Sequence, residues 1–109
     1  MKLENMPLSV TDWKKLSPIG VRGETGKAVT KESDHGDIRV RFVEYSANYR
    51  ADHWCTRGHI AIVLEGELTF ELEDGKSYDL SEDMSFQVGE KFTAHRVFSR
   101  TGARVIIFD

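Results

Sequence analysis

The chain has 109 residues, enough for one domain with a modest core but not for two. Hydrophobic residues make up 39% and charged residues 30%, an ordinary balance for a globular protein in water. Lysine and arginine total 15 against 18 acidic residues, a net charge of −3, so no basic excess points to nucleic acid and no cationic amphipathic helix to a membrane surface.

The first residues mix Lys2, Glu4, Asp12, Lys14 and Lys15 among apolar ones, which leaves no continuous segment of the signal-peptide kind. Apolar runs such as Ile60-Ala61-Ile62-Val63-Leu64 are too short to span a bilayer. A single cysteine cannot form an internal disulfide, and a cytoplasmic location is the expectation.

Residues 1–25 read as an N-terminal arm and loop. Residues 10–16 allow a short helical turn with Thr11 or Asp12 as its cap, while Pro18, Gly20, Gly23 and Gly26 limit regular structure beyond it. Trp13 is the arm's expected anchor, since a tryptophan in a polar segment packs its ring on its own domain or on a partner.

Residues 26–109 read as a single all-β domain. Residues 37–45 alternate Ile38, Val40 and Phe42 against Arg39 and Arg41. Residues 59–64 are apolar on both faces, as in a strand covered on each side. Residues 67–73 set Leu68, Phe70 and Leu72 against Glu67, Thr69, Glu71 and Glu73, and Asp74-Gly75 is a two-residue hairpin signal into residues 76–80. Residues 84–88, 95–100 and 103–109 supply further strands, with a turn at Thr101-Gly102. Seven or eight short strands separated by turn residues predict a small sandwich, barrel or jelly roll.

Chemistry concentrates in Asp52-His53-Trp54-Cys55-Thr56-Arg57-Gly58-His59 and in His95. Imidazole and thiolate are donors that borderline transition metals prefer. His53, Cys55 and His59 share parity and would leave one face of an extended chain. A straight strand would hold His53 and His59 about 20 Å apart. A shared ion therefore requires the chain to reverse at Thr56-Arg57-Gly58, with Gly58 supplying a positive backbone dihedral and His95 arriving from a third strand. Cys55 has two readings, a metal-ligating thiolate or a small buried hydrophobe. Trp54 alternates away from the candidate ligands, toward an outer face or an interface. His35 lies in a polar, turn-rich stretch and reads as solvated.

Tyr45, Met84, Phe86, Val88 and Val97 are the candidate walls of a mostly apolar small-molecule pocket, with Tyr49, Arg57, Gln87 and Arg96 as polar contacts. The acidic row Glu65, Glu67, Glu71, Glu73 and Asp74 falls largely on an outer face, where it favours solubility. There is no Ser-His-Asp pattern, phosphate-cradling loop or base-stacking platform.

Over residues 37–109 the chain resembles the cupins, whose first motif reads G-x5-H-x-H-x3,4-E-x6-G. With its last glycine at Gly66, the glutamate position falls on His59, the second histidine position on Cys55 and the first on His53. The second motif, G-x5-P-x-G-x2-H-x3-N, places its histidine at His95 but has Glu90, Phe92 and Ser99 where proline, glycine and asparagine are usual. The Val63-Leu64-Glu65-Gly66-Glu67 stretch resembles the usual start of the cupin hairpin, and the whole chain looks like small single-domain cupins with a DHCW-type signature.

The resemblance implies a jelly-roll (double-stranded β-helix) barrel, a homodimer, and a divalent transition metal (zinc, iron, nickel or manganese) on His53, Cys55, His59 and His95. Three histidines and a thiolate saturate tetrahedral zinc, whereas octahedral iron or nickel keeps two positions open. The implied function is a metal-dependent oxygenase, isomerase or lyase acting on a small molecule. The alternative is a non-catalytic small-molecule-binding or sensor cupin with a structural metal or none.

Overall fold

The computed structural model describes residues 3–109 and shows ten strands and one 3-10 helix. The strands are β1 (Ile19–Arg22), β2 (Lys27–His35), β3 (Ile38–Tyr45), β4 (Tyr49–Arg50), β5 (His59–Gly66), β6 (Leu68–Leu72), β7 (Ser77–Leu80), β8 (Ser85–Val88), β9 (His95–Ser99) and β10 (Ala103–Phe108). They form a six-stranded sheet ordered β1-β2-β3-β10-β5-β8 and a four-stranded sheet ordered β4-β9-β6-β7, with every pairing antiparallel. The two sheets enclose one core in a jelly roll. No described helix is long and apolar enough to cross a membrane.

Period-two alternation sets the core. Val43, Ala61, Val63, Val105 and Ile107 face inward from the six-stranded sheet, and Leu68, Phe70 and Leu80 face them from the other. The Asp74-Gly75 hairpin forms as expected: Leu72 N–H donates to the Lys76 carbonyl, the Asp74 carboxylate accepts from Lys76 N–H, and Gly75 takes φ +98°. Gly66 takes φ +82°, and a β-carbon there would lie 2.1 Å from the Gly102 carbonyl oxygen, so glycine alone lets β5 turn into β6 beside β10.

Three strands went unread in the sequence. β1 lies inside the segment read as loop, where Gly20 is tolerated because the strand is an exposed edge paired only with β2. β2 carries Lys27, Thr30, Lys31, Glu32, Ser33 and Asp34, a composition that masks a strand. Its full-length pairing with β3 and the burial of Ala28 and Thr30 override that weak local preference. β4 is two residues long, too short to show a period.

The helical turn forms at Trp13–Lys15, with Asp12 accepting from the Lys14 N–H. Trp13 meets Phe42 edge-on, with ring centroids 4.7 Å apart, and its carbonyl accepts from Lys31 Nζ. His35 closes β2 half-buried, its ring hydrogen-bonded to Ser33 and Ser9, rather than standing free in solvent. The arm covers only the β2–β3 part of the outer face, so Ile60 on β5 remains 42% exposed. Cover on both faces of 59–64 is therefore not what this chain shows.

Candidate metal centre

The reversal expected at Thr56-Arg57-Gly58 is not a hairpin. Cys55 pairs with His95 at the end of β9: Cys55 N–H donates to the His95 carbonyl at 2.7 Å and His95 N–H to the Cys55 carbonyl at 3.0 Å. Residues directly opposed in such a doubly bonded pair present their side chains on one face. Four residues later His59 opens β5 in the other sheet, so the segment from Cys55 to His59 crosses between the sheets and brings the third side chain across the barrel. Gly58 does not use a positive dihedral. It is required by close approach, since a β-carbon there would lie 2.7 Å from the Glu90 nitrogen.

Donor atoms of Cys55, His59 and His95 all lie within 4.8 Å of one another. The two imidazoles face each other with Nε2 atoms 3.0 Å apart. His95 is 1% exposed, and its Nδ1 lies 2.9 Å from the Thr93 carbonyl. A carbonyl only accepts, so neutral His95 carries its proton on Nδ1 and turns the Nε2 lone pair toward His59. A backbone acceptor that fixes the ring in this way is a recurring feature of metal-ligating histidines.

Phe70 and Phe86 stack with centroids 4.0 Å apart and flank the pair, Phe70 against His95 and Phe86 against His59. His59 Nδ1 is buried without a hydrogen-bond partner among the described residues. Burial, and then the neighbouring His95, pushes the His59 pKa down to about 4, so the ring is a neutral donor across the physiological range.

This donor set fits a transition metal. Two nitrogens each about 2.1 Å from one ion, at roughly 90–110°, lie about 3.0–3.4 Å from each other, and the observed spacing of 3.0 Å falls in that range. Imidazole nitrogen with thiolate sulfur suits zinc, iron and nickel better than hard oxygen-seeking ions.

His53 is not drawn into the trio. The chain bends between Ala51 and Trp54, which breaks the parity argument, and the His53 side chain is 76% exposed with Nδ1 2.7 Å from Asp52 Oδ1. It stands on the wall of the cavity that holds the trio.

That cavity encloses about 160 Å³ between the sheets. Among the expected walls, Tyr45, Phe86 and Val97 line it. Val88 instead packs partly buried against the core, one residue pair along β8 from Phe86. Met84 does not line it either: it precedes β8 in a turn through Asp83 at φ +68°, is 45% exposed, and accepts hydrogen bonds on sulfur from Ser81.

Tyr49 and Arg96 also line the cavity, whereas Gln87 faces outward and bonds to Ser85. Burial raises the pKa of both tyrosines, so their hydroxyls stay neutral. The wall includes Arg41, Ala61 and Ile107, which the sequence did not single out as site residues. Their inward parity on β3, β5 and β10 is the signal that could have found them. Trp54 lies outside with the Arg96 guanidinium 4.4 Å over its ring, and Glu71 is held on the outer face by Arg50 and Arg96.

Fold and site together define a cupin-type jelly-roll barrel with a possible transition-metal centre. No family model and no curated protein matches the sequence. Among solved structures, the chain is similar to an RmlC-like cupin from Shewanella frigidimarina NCIMB 400, at 16% identity over 95% of this chain and 91% of that one, with a TM-score of 0.72. It is also similar to ectoine synthase from P. lautus, at 13% identity over 93% and 76% of the two chains and a TM-score of 0.75. Fe(II) HppE matches at 16% identity and a TM-score of 0.77 over 94% of this chain, which spans 60% of that longer protein. At these identities the likeness concerns the fold, and the fold is the cupin jelly roll.

Proposed function

We propose that the protein holds a divalent transition metal on Cys55, His59 and His95 and binds or transforms a small molecule in the adjoining cavity, in oxygenase, isomerase or lyase type chemistry. The observation that carries this reading is the pair of buried imidazoles whose Nε2 atoms converge at 3.0 Å, one of them oriented by the Thr93 carbonyl. A zinc, iron, nickel or manganese ion held there supplies Lewis acidity toward a bound oxygen, or redox capacity where the ion has it.

The protein's own residues divide the remaining work. Phe70 and Phe86 pack against the histidines and keep water from them, and Phe86 and Val97 belong to the apolar wall of the cavity. Tyr45 and Tyr49, neutral hydroxyls on the same wall, can donate hydrogen bonds to a ligand but do not serve as bases near neutral pH. His53, at the wall with Asp52 on its Nδ1, is the candidate for a further ligand. The same reading places the protein in the cytoplasm as a homodimer joined through the outer face around Ile60, which the arm leaves exposed.

Elemental analysis of untagged protein purified without chelator, wild type beside Cys55→Ser, tests it. The expected result is stoichiometric metal in the wild type. Iron, nickel or manganese retained in the variant marks an open histidine centre. Zinc lost with the thiol marks a closed structural site and supports the non-catalytic alternative. A chain that takes up no metal under reducing conditions overturns the reading.

A further inference from the structure

The cavity has a second polar pole. Arg41 stands on the inner face of β3 in the same cross-sheet row as Ile107, Ala61 and Phe86. Asp109 lies opposite Arg39, their backbones exchanging hydrogen bonds of 2.7 and 2.9 Å, so the polar end of the barrel begins one row from Arg41.

The Asp109 carboxylate is 2% exposed and is shared by two guanidiniums. It accepts from Arg39 Nε at 2.9 Å and Nη2 at 2.8 Å, and from Arg41 Nη2 at 3.0 Å. Glu32 lies 3.9 Å from Arg39, but Arg41 has no second acidic partner within 4 Å among the described residues. Its Nε–H is buried and finds no acceptor among the described residues. A buried donor on a cation left unpaired is costly, and native interiors rarely leave one without a reason.

Arg41 lines the same cavity as the Cys55-His59-His95 trio, and Ala61, Val97 and Ile107 belong to its apolar wall. We propose that this cavity receives a small carboxylate, its anionic end pairing with the Arg41 guanidinium and its other end reaching the trio. The inference rests on the metal-cavity reading for the second contact only, because the arginine end is complete without an ion.

The volume of 160 Å³ admits a ligand of roughly benzene size. Arg41 shares its acidic partner with Arg39, and the single charge of a carboxylate suits that remaining deficit better than a dianionic phosphonate or phosphate does.

The guanidinium Nε–H of Arg41 can be followed directly by proton–nitrogen correlation NMR in a chain of 12.4 kDa. Acetate, lactate and benzoate are titrated against acetamide, lactamide, benzamide and methylphosphonate, in chelator-treated protein and in zinc-loaded protein whose zinc content is measured separately. The expected result is a saturable shift of the Arg41 resonance with at least one carboxylate and none with its amide. Followed by the backbone amide shifts of the cavity residues Ala61 and Ile107, Arg41→Met should weaken that binding about ten- to hundredfold, with partial recovery in Arg41→Lys. If acids and amides act alike on the wild type, or methylphosphonate binds better than every carboxylate, the proposal is overturned. The wild-type titration decides this even where Arg41→Met does not fold. Zinc bound without any carboxylate response sinks this inference alone, and a carboxylate response without zinc binding sinks the metal reading alone.

Discussion

His59 and His95 stand in different sheets, and their value as a pair comes from burial and a fixed tautomer. His95→Ala removes a fully buried donor, and His53→Ala removes an exposed ring already engaged by Asp52. Zinc affinity from competition with a chromophoric chelator should therefore fall at least tenfold with His95→Ala and less than threefold with His53→Ala. A larger loss with His53→Ala would place His53 among the ligands.

His59 also gives a pH dependence with a definite sign. Its folded value is about 4 against the usual 6.5, so above pH 6.5 the ring is neutral whether the chain is folded or not. Between 6.5 and 4 the unfolded chain binds a proton that the folded one does not, and stability must fall as the pH drops through that window. Urea titrations of metal-free protein should show this decline, and His59→Gln should flatten it.

At the scale of elements, the site depends on β5 leaving one sheet for the other at both of its ends. The Cys55 to His59 segment delivers β5 from the four-stranded sheet, and Gly66 returns the chain to it. Gly66→Ala puts a β-carbon against the Gly102 carbonyl at an unfavourable dihedral and should cost more than about 1 kcal/mol in chemical denaturation. Gly75 has the same sign of dihedral but open space around it, so Gly75→Ala should cost less. Equal losses at the two positions would show that dihedral strain rather than contact governs the turn.

For the whole molecule, one buried ion cluster joins parts distant in sequence. Asp109 ties the strand after residue 103 to Arg39 and Arg41 on β3. Burial alone would raise its carboxyl pKa, but hydrogen bonds from Arg39 and the charge of Arg41 outweigh it and hold the group below the ordinary carboxylate value. A depressed carboxyl stabilises the fold above the unfolded pKa and loses that contribution as the pH falls below it. Asp109→Asn should thus lower the melting temperature at pH 7 and narrow its gap to the wild type toward pH 3. The outer face around Ile60 carries the dimer proposal. Sedimentation velocity should show a wild-type dimer and an Ile60→Glu monomer, and a wild-type monomer at micromolar concentration would remove that part of the reading.

The sequence by itself determined what alternation and turn chemistry can carry. Seven strands from residue 37 onward, the Asp74-Gly75 hairpin, the inward alternation of Leu68 and Phe70, and a small all-β sandwich, barrel or jelly roll were legible, because period two and glycine conformations are local properties, while the cupin resemblance singled out the jelly roll. Three of the four expected metal donors also came together.

Tertiary structure decided the rest. β2 is a strand because β3 lies beside it, and no residue within it announces that partner. His53 fell outside the trio because parity counts faces only while the chain stays extended, and the bend at 51–54 resets the count. Arg41 alternates with Ile38, Val40 and Phe42 in the sequence, and only its pairing with Ile107 on β10 and its bond to Asp109, 68 residues further along the chain, put its face on the inside. Long-range pairing fixes which face is inside, and that information is held by the partner strand rather than by the residue itself.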